Sequence, residues 1–481
     1  MVSEDDRLPS VDHLVYAPVP GRPAASRLLS LLRAVPGGTT LWCVTRGLSA
    51  LETASLRGIS RVAASEQPES WGGLVDLVDD DAASLARWLG SGSREPVVSV
   101  EDGVVSAQRL VPLATEPGVF RCRPDGTYLI TGGLGALGLQ VAEHLAQRGA
   151  RRIILLGRKD LGPRERWDGD ERAEAVRALE AAGVTVVVVA ADIADATAVT
   201  AALDGLDLPP IRGVVHAAGT VDSTLLHDLD DETLRAVMRP KLSGALVLDE
   251  LFPPGSLDFL VFFSSIGQWL GLPGQGAYAA ANAALDALAH RRRDAGGTET
   301  VSIAWTSWRG LGMSTSAAAT DLELAARGTG DIDASRAFRL LDQILAAPDS
   351  VPPVVGVVRI LHGHQGHRPA VLADLPQDEP GDIEEKPEWD SLSGPELTGF
   401  LQSAVQDRVA AVLGGAPGGV ALTRPLAEAG VDSLLATVLR LELEKVVRVA
   451  LPATLLWNHP TIADITRYLA GLVSSGLGRQ G

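Results

Sequence analysis

The sequence predicts an α/β fold in two consecutive halves, followed by a small all-helical bundle. Three observations carry this. Strand-like and helix-like segments alternate for about 360 residues, the pattern of parallel sheets. One strand runs directly into a glycine-rich turn and a helix. Beyond an acidic, proline-bearing stretch, about 75 residues show helical periodicity alone.

The first half opens with a β-rich run at Val11–Ala17 and helical spacing over Ala25–Ala34. Thr39–Thr45 and Gly73–Val78 read as strands and Ala82–Leu89 as a helix. Pro96–Val100 and Val104–Val111 flank a turn at Asp102–Gly103. The second half begins near Gly126. Thr127–Thr131, Arg152–Leu156, Val184–Ala190, Gly213–His216, Phe259–Ser264 and Thr300–Ala304 read as strands, with helices between them at Leu137–Arg148, Arg172–Ala182 and beyond. Val184–Ala190 holds five valines, a strand type buried on both faces. Repeated βα units predict a doubly wound sheet with a ligand at the carboxyl ends of its strands.

Asp374–Glu396 carries nine acids, one lysine and four prolines, which predicts a solvated, extended linker. Leu397–Leu472 carries six acids and six bases and is helical in pattern. The expected units are 1–121, 122–361, a linker at 362–396, a helical domain at 397–473 and a tail at 474–481.

Composition narrows the function. The 481 residues include 60 acids against 42 bases, a net charge of -18. That balance argues against a nucleic-acid or anionic-membrane footprint. Cys43 and Cys122 have no metal-type spacing, so no metal site is expected, and a reducing compartment suits them. No apolar run reaches a membrane-spanning length, and MVSEDDRLPS is the opposite of a signal peptide. The expectation is a cytoplasmic protein.

The segment TYLITGGLGALG spaces Gly132, Gly135 and Gly138 by three, between a strand and a helix. Glycines let the backbone turn sharply and approach a pyrophosphate, and the helix N-terminus offers free N–H groups to it. The alternative is a tight β–α turn without a ligand. The second strand ends in LLGRKD. There Arg158 is placed to pair with a 2′-phosphate, which favours NADP over NAD; otherwise it is a solvated loop charge beside Asp160.

A short-chain reductase shows a tyrosine with a lysine four residues later. Here Tyr278 has Asn282 at that position. The cation has to come from elsewhere, and Lys241, one of only four lysines, lies on an expected helix before the FFSSIG strand. Ser265 precedes Tyr278 by thirteen residues.

These residues, with TGGLGALG, LLGRKD, HAAG and the Tyr-Ala-Ala-Ala-Asn run, resemble the ketoreductase domain of type I polyketide synthases followed by an acyl carrier protein. In that family the lysine and asparagine exchange places. The resemblance implies two Rossmann-like subdomains, a truncated structural half and an NADP-binding short-chain reductase half, and then the carrier. It implies NADPH-dependent reduction of a β-ketoacyl thioester, with Tyr278 as proton donor. Lys241 would lower the tyrosine pKa and Ser265 would bond the substrate carbonyl. Asn282 would hold a relay or orient Lys241. Cofactor contacts fall at Gly132, Gly135, Leu137, Gly138, Arg158, Asp192 (the adenine side), Ala217, Ala218 and Gly219. His216 is expected to be structural, its backbone shaping the ribose side.

Some positions depart from the family pattern. The usual Trp-Gly-Pro-Trp reads Trp305-Thr306-Ser307-Trp308. The Leu-Asp-Asp fingerprint of one stereochemical class reads Val221-Asp222-Ser223. The tryptophan of the other class falls at Leu270, beside Trp269. Pro273 points to the first class, while its asparagine partner position is Ala277. A substrate lid is expected within Gly310–Asp333.

Val431-Asp432-Ser433-Leu434 stands at a loop-to-helix junction, which alone reads as an N-cap. LPATLLWNHPTIADITRYLAGL then follows, resembling the second half of polyketide carrier proteins, and implies 4′-phosphopantetheine on Ser433. The expected partners are a carrier-tethered acyl substrate, a phosphopantetheinyl transferase and other synthase domains. The alternative is a catalytically silent reductase scaffold serving the carrier. A third possibility, a carbonyl reductase or isomerase acting on free substrates, fits poorly with an attached carrier.

Overall fold

The computed structural model describes residues 8–9, 11–47, 51–79, 81–93, 95–114, 118–311, 317–361, 368–376, 389, 392, 394–413, 420–431, 433–447, 449 and 451–474, with backbone alone at 52, 317–319, 433 and 434.

The first half is a five-stranded sheet. It contains β1 (His13–Tyr16), α1 (Ala24–Ala34), β2 (Thr40–Thr45), α2 (Leu51–Glu66), β3 (Trp71–Leu77), α3 (Ala82–Leu89), β4 (Val97–Glu101) and β5 (Val104–Ala107). The order is β1-β2-β3-β4-β5. The first three pairings are parallel, and β4–β5 closes as an antiparallel hairpin over the expected Asp102–Gly103 turn. Helix α2 adds to the elements expected from sequence. Its Leu56, Ile59, Val62 and Ala63 recur at helical spacing and are buried.

The second half contains β6 (Thr127–Thr131), α4 (Ala136–Gln147), β7 (Arg152–Gly157), α5 (Glu171–Ala181), β8 (Thr185–Ala190), α6 (Ala196–Asp204) and β9 (Ile211–His216). There follow α7 (Asp231–Met238), α8 (Gly244–Leu251), β10 (Phe259–Ser265), α9 (Gly267–Leu270), α10 (Gly276–Asp294) and β11 (Thr300–Trp305). It ends with α11 (Ala317–Ala326), β12 (Thr329–Gly330), α12 (Ala334–Ala346), β13 (Val354–Val357) and β14 (Arg359–Ile360). Seven parallel strands run β13-β11-β10-β9-β6-β7-β8, and β12 pairs with β14 apart from them. The chain reverses direction across the sheet at β6, between β9 and β7. That switch point opens a crevice at the carboxyl ends of the strands.

The two halves meet through α2 and α10. In α10, Ala277, Ala279, Ala280, Ala281, Ala283 and Ala284 are all buried, and these small side chains let its neighbours approach closely. On α2, a Cβ at Gly58 would lie 2.2 Å from the Ala279 carbonyl oxygen, so the contact requires glycine there. The first half thereby forms a wall against the turn of α10 that carries Tyr278.

The helical unit comprises α13 (Gly394–Leu413), α14 (Ser433–Val447), α15 (Leu455–Asn458) and α16 (Ile462–Ser474) around Leu401, Val405, Leu439, Leu443, Ile465 and Leu469. The span expected to be a linker, 362–396, contains buried apolar residues. Val371 and Leu372 are buried against the second half with Trp269, and Leu110 N–H donates to the Val371 carbonyl. Trp389 is buried in the helical core, where its indole N–H donates to the Val446 carbonyl. Charge counting hides both segments, because a few apolar anchors outweigh flanking acids that stay in water. Residues 377–388, and the tail beyond 474, lie outside the described residues. Among the described residues, no helix is long and apolar enough to cross a membrane.

Candidate active site and carrier attachment site

The glycine-rich turn follows β6. Gly132 has φ 69°, a conformation that L side chains rarely adopt. A Cβ at Gly138 would lie 2.4 Å from the Gly132 carbonyl oxygen, and one at Gly132 would lie 3.0 Å from the Ala218 backbone. Gly135 is the exposed N-cap of α4. Strand end, turn and the Ala217–Gly219 segment therefore pack backbone to backbone below an open helix N-terminus. That cradle accepts a pyrophosphate and has no room for side chains on its inner face. The turn thus fits a dinucleotide.

Arg158 is exposed just beyond β7. Asp192, expected on the adenine side, is engaged by protein. Its carboxylate accepts from Ala194 N–H at 3.0 Å and pairs with Arg239 at 2.9 Å. The Ala194 N–H, then Arg239 and Arg158, hold that carboxyl below the usual range despite partial burial. Sequence reading does not single out Arg239; it lies far from Asp192 along the chain and only folding joins them.

One cavity brings Leu137, Ala217, Lys241, Ser265 and Tyr278 together, with Val221, Leu272, Gln275, Trp305, Trp308, Thr320 and Leu324 completing its wall. Lys241, expected on a helix, sits in a π-helical turn, Arg239–Ser243. Pro240 in that turn has no N–H to donate, and the chain widens between α7 and α8. Lys241 Nζ donates to the Phe263 carbonyl at 2.8 Å and lies 5.0 Å from the Tyr278 ring centre.

Lys241 is held in place by a relay that begins in the glycine-rich strand. Ala218 N–H donates to Thr131 Oγ1 at 3.2 Å. Thr131 Oγ1 and His216 Nδ1 are 2.7 Å apart, and His216 Nε2 and the Lys241 carbonyl 2.8 Å apart. Burial lowers the His216 pKa to about 4, so the ring is neutral. The Lys241 carbonyl only accepts, so Nε2 carries the proton and Nδ1 accepts from Thr131. The His216 ring links Thr131 to the Lys241 carbonyl, a contact that sequence reading, which gave its backbone a role on the ribose side, does not show.

Burial also pushes Lys241 down to about 7, with Asp286 opposing, and pushes Tyr278 up to about 12, with Asn282 opposing. Burial dominates the Tyr278 shift, so the phenol is protonated at neutral pH. Asn282 Nδ2 donates to the Tyr278 carbonyl at 2.9 Å. Lys241 is held by Phe263 and not by Asn282. Ser265 Oγ accepts from Gly267 N–H at 3.2 Å, which leaves its hydroxyl proton available to donate.

Asn282 Oδ1 and the indole N–H groups of Trp305 and Trp308 are buried without protein partners. Buried polar groups ordinarily have partners, and of these three the two indole N–H groups belong to residues that line the cavity, suited to a polar ligand. The region expected to be a lid contains α11 and β12; residues 312–316 lie outside the described residues.

Sequence reading misses Glu66, at the end of α2. Its carboxylate accepts from Leu226 N–H and Gly274 N–H, each at 2.7 Å, tying the first half to two loops beside the cavity. Burial raises its pKa from 4.5 to about 7, partly offset by those N–H groups. Folding therefore takes up a proton between those pH values. The stabilising contribution is full below about 4.5 and is lost as pH rises through 7, about 3 kcal/mol in all. We expect Glu66→Gln to remove that slope. Urea midpoints compared between pH 5 and pH 8 check it; an unchanged slope refutes it.

In the helical unit, Ser433 opens α14 and Val431 before it is buried. Asp432 and the side chains of Ser433 and Leu434 lie outside the described residues. A hydroxyl residue at a helix start, after a buried anchor, is chemically suited to carry a phosphodiester.

Known proteins share this layout. Residues 126–310 match the family model described as the KR domain, and residues 403–469 the one described as the phosphopantetheine attachment site. The 5-methyl-1-naphthoate synthase of Streptomyces sahachiroi is 40% identical over 95% of this chain and 26% of its own length. The 6-methylsalicylic acid synthase of Aspergillus terreus (strain NIH 2624 / FGSC A1156) is 38% identical over 88% of this chain and 25% of its own. The chain thus spans about a quarter of these relatives. Among solved structures, PlmKR1, the ketoreductase from the first module of phoslactomycin biosynthesis in Streptomyces sp. HK803, is 36% identical. It has a TM-score of 0.65, covering 78% of this chain and 87% of that one. The first ketoreductase of the tylosin PKS is 33% identical with a TM-score of 0.64, covering 74% and 80%.

Fold and crevice define the class as a short-chain, NADPH-dependent reductase. Within that class the chain belongs to the polyketide synthase ketoreductases, with a phosphopantetheine carrier domain behind the reductase.

Proposed function

We propose that the chain reduces the β-ketone of an acyl thioester tethered to a carrier, in cis or in trans, within a polyketide synthase. The observation that carries this reading is the convergence of Ser265, Tyr278 and Lys241 on one cavity beside the glycine cradle. When bound, NADPH supplies the hydride. The chain's own residues manage the oxygen. As negative charge grows on the ketone oxygen, Ser265 and Tyr278 donate hydrogen bonds to it, and the Tyr278 O–H proton passes to it. A buried, protonated phenol is a donor matched to an alkoxide, which is the stronger base. Lys241 sits beside that ring and stabilises the phenolate left behind. Asn282 orients the Tyr278 turn of α10 through the Tyr278 carbonyl. The His216–Thr131 relay keeps Lys241 in register with the glycine cradle.

Gly132, Gly135, Leu137, Gly138, Ala217, Ala218 and Gly219 would hold the dinucleotide, with Asp192 on the adenine side. Arg158, exposed with Arg239 nearby, would meet a 2′-phosphate. We expect Arg158→Asp to cut the preference for NADPH over NADH by about tenfold or more, since one charge-assisted contact is worth about 1.5–3 kcal/mol. Initial rates with both cofactors and a short β-ketoacyl thioester check it; an unchanged ratio removes Arg158 from the site.

Ser433 is the proposed attachment residue, modified by a phosphopantetheinyl transferase, and other synthase domains would load and unload the carrier. A cytoplasmic location is part of this reading, supported by two buried free cysteines. NADPH turnover of the thioester by the full chain is the deciding experiment. NADPH binding with no turnover across several thioesters would overturn the reductase reading.

A further inference from the structure

The carrier packs against the reductase at two places, and each leads to a different wall of the substrate cavity. Arg440 of α14 is buried, and pairs with Glu323 of α11 and with Glu444 on its own helix. Glu323 also pairs with Arg327, whose guanidinium donates to the carbonyls of Leu270 at 3.1 Å and Gly271 at 3.4 Å. Thr320 and Leu324, on either side of Glu323, line the cavity. At the second place, Ala453 N–H donates to the Ser65 carbonyl at 3.2 Å and Thr454 Oγ1 to the Glu66 carbonyl at 2.9 Å. The Glu66 carboxylate in turn holds Leu226 and Gly274. Gly271 and Gly274 bound the loop of Leu272 and Pro273, which leads through Gln275 into the turn of Tyr278.

Two features mark this as a specific seat. Burying charges is costly unless each is paired, and here Arg440, Glu323, Arg327 and Glu444 pair as a closed set across the junction. Burial opposes the Glu323 carboxylate, yet Arg327 and Arg440 outweigh it and lower its pKa. Such a set adds little net attraction but penalises any misaligned docking, so it fixes register. Ser433 lies seven residues before Arg440 on the same helix, about 10 Å along its axis. The attachment end of α14 is therefore held at a set distance from the helix that walls the cavity.

We propose that α11 and the end of α2 form a dedicated seat for this chain's own carrier, and that occupying it braces α11 and the 271–275 loop in the arrangement used for reduction. The proposal rests on the reductase reading above. It predicts that the seated carrier assists reduction even of a substrate not attached to it.

The test uses the full chain and two variants, Arg440→Met and Thr454→Val, neither in the cavity. Hydrogen exchange of amides in 320–327 and 266–276 is measured, with the helices α13 and α16 as the check on carrier folding. kcat/KM for an untethered β-ketoacyl N-acetylcysteamine thioester is measured alongside. Both variants should speed exchange in the two reductase segments by about fivefold, the change one hydrogen bond typically carries. kcat/KM should fall by a similar factor, with α13 and α16 still protected. Unchanged exchange in both segments for both variants overturns the seat. Faster exchange with unchanged kcat/KM overturns the bracing. If Arg440→Met exposes α13, the Thr454→Val result decides. A wild-type chain that turns over no thioester, yet whose exchange responds, refutes the reductase reading and keeps the seat.

Discussion

Tyr278→Phe is expected to lower NADPH-dependent reduction of a β-ketoacyl thioester by about 10²–10⁴-fold, the range for a positioned proton donor. The reason is geometric. Tyr278 lies in a cavity with Ser265, Lys241 and the end of the glycine cradle, and its ring is held between α2 and the Lys241 turn. Phenylalanine keeps that packing and removes only the hydroxyl. The melting temperature and NADPH affinity should therefore stay close to wild type while kcat falls. Steady-state rates, with cofactor binding followed by fluorescence, check both halves. A variant within tenfold of wild type would remove Tyr278 as the proton donor and make Ser265 the next hydroxyl to test.

Ser433→Ala is expected to abolish attachment of the phosphopantetheine arm completely. Ser433 opens α14 behind the buried Val431, within the region matched to the phosphopantetheine attachment site. Intact mass after incubation with a phosphopantetheinyl transferase and coenzyme A reads the outcome. The wild-type chain should gain one arm and the variant none. Reduction of an untethered thioester, measured in the same sample, reports that the reductase half is folded. An arm found on the variant would place the attachment on another hydroxyl and move the carrier's working end away from α14.

Local pattern exposes Tyr278 and its neighbours, whereas Ser433 alone reads as an N-cap and stands out only through the resemblance of the segment after it to carrier proteins. Gly132, Gly135 and Gly138 stand out because a close backbone turn tolerates no Cβ, and the structure puts those contacts at 2.4–3.1 Å. Tyr278, Ser265 and Lys241 stand out by spacing and by the scarcity of lysine. The alternation of strands and helices, and the change to helical periodicity after the acidic stretch, likewise follow from side-chain period, which is a local property. Helix α2 obeys the same rule in its buried Leu56, Ile59, Val62 and Ala63, but serines, arginines and a glycine between them dilute the stripe.

Other features have no local signature. His216 as a strut for Lys241, Glu66 as a clamp on Leu226 and Gly274, and Arg239 on Asp192 each join residues far apart in sequence. The direction of the Tyr278 and Lys241 pKa values is of the same kind. A cation near a phenol suggests that the phenol is drawn down. Folding buries both groups, and the loss of water is the largest cause of each shift.

The sequence by itself determined the α/β class and the glycine-rich turn, because each depends on residue type at a fixed local spacing; the roles expected of the hydroxyl and lysine set and of Ser433 came from the resemblance to the family. Only the tertiary structure decided which carboxyls are buried, which turn of helix holds Lys241, that Val371 and Trp389 are buried on either side of the acidic stretch, and that α14 sits against α11. Those depend on which distant surfaces exclude water from one another, and the period of a single chain segment carries no record of that.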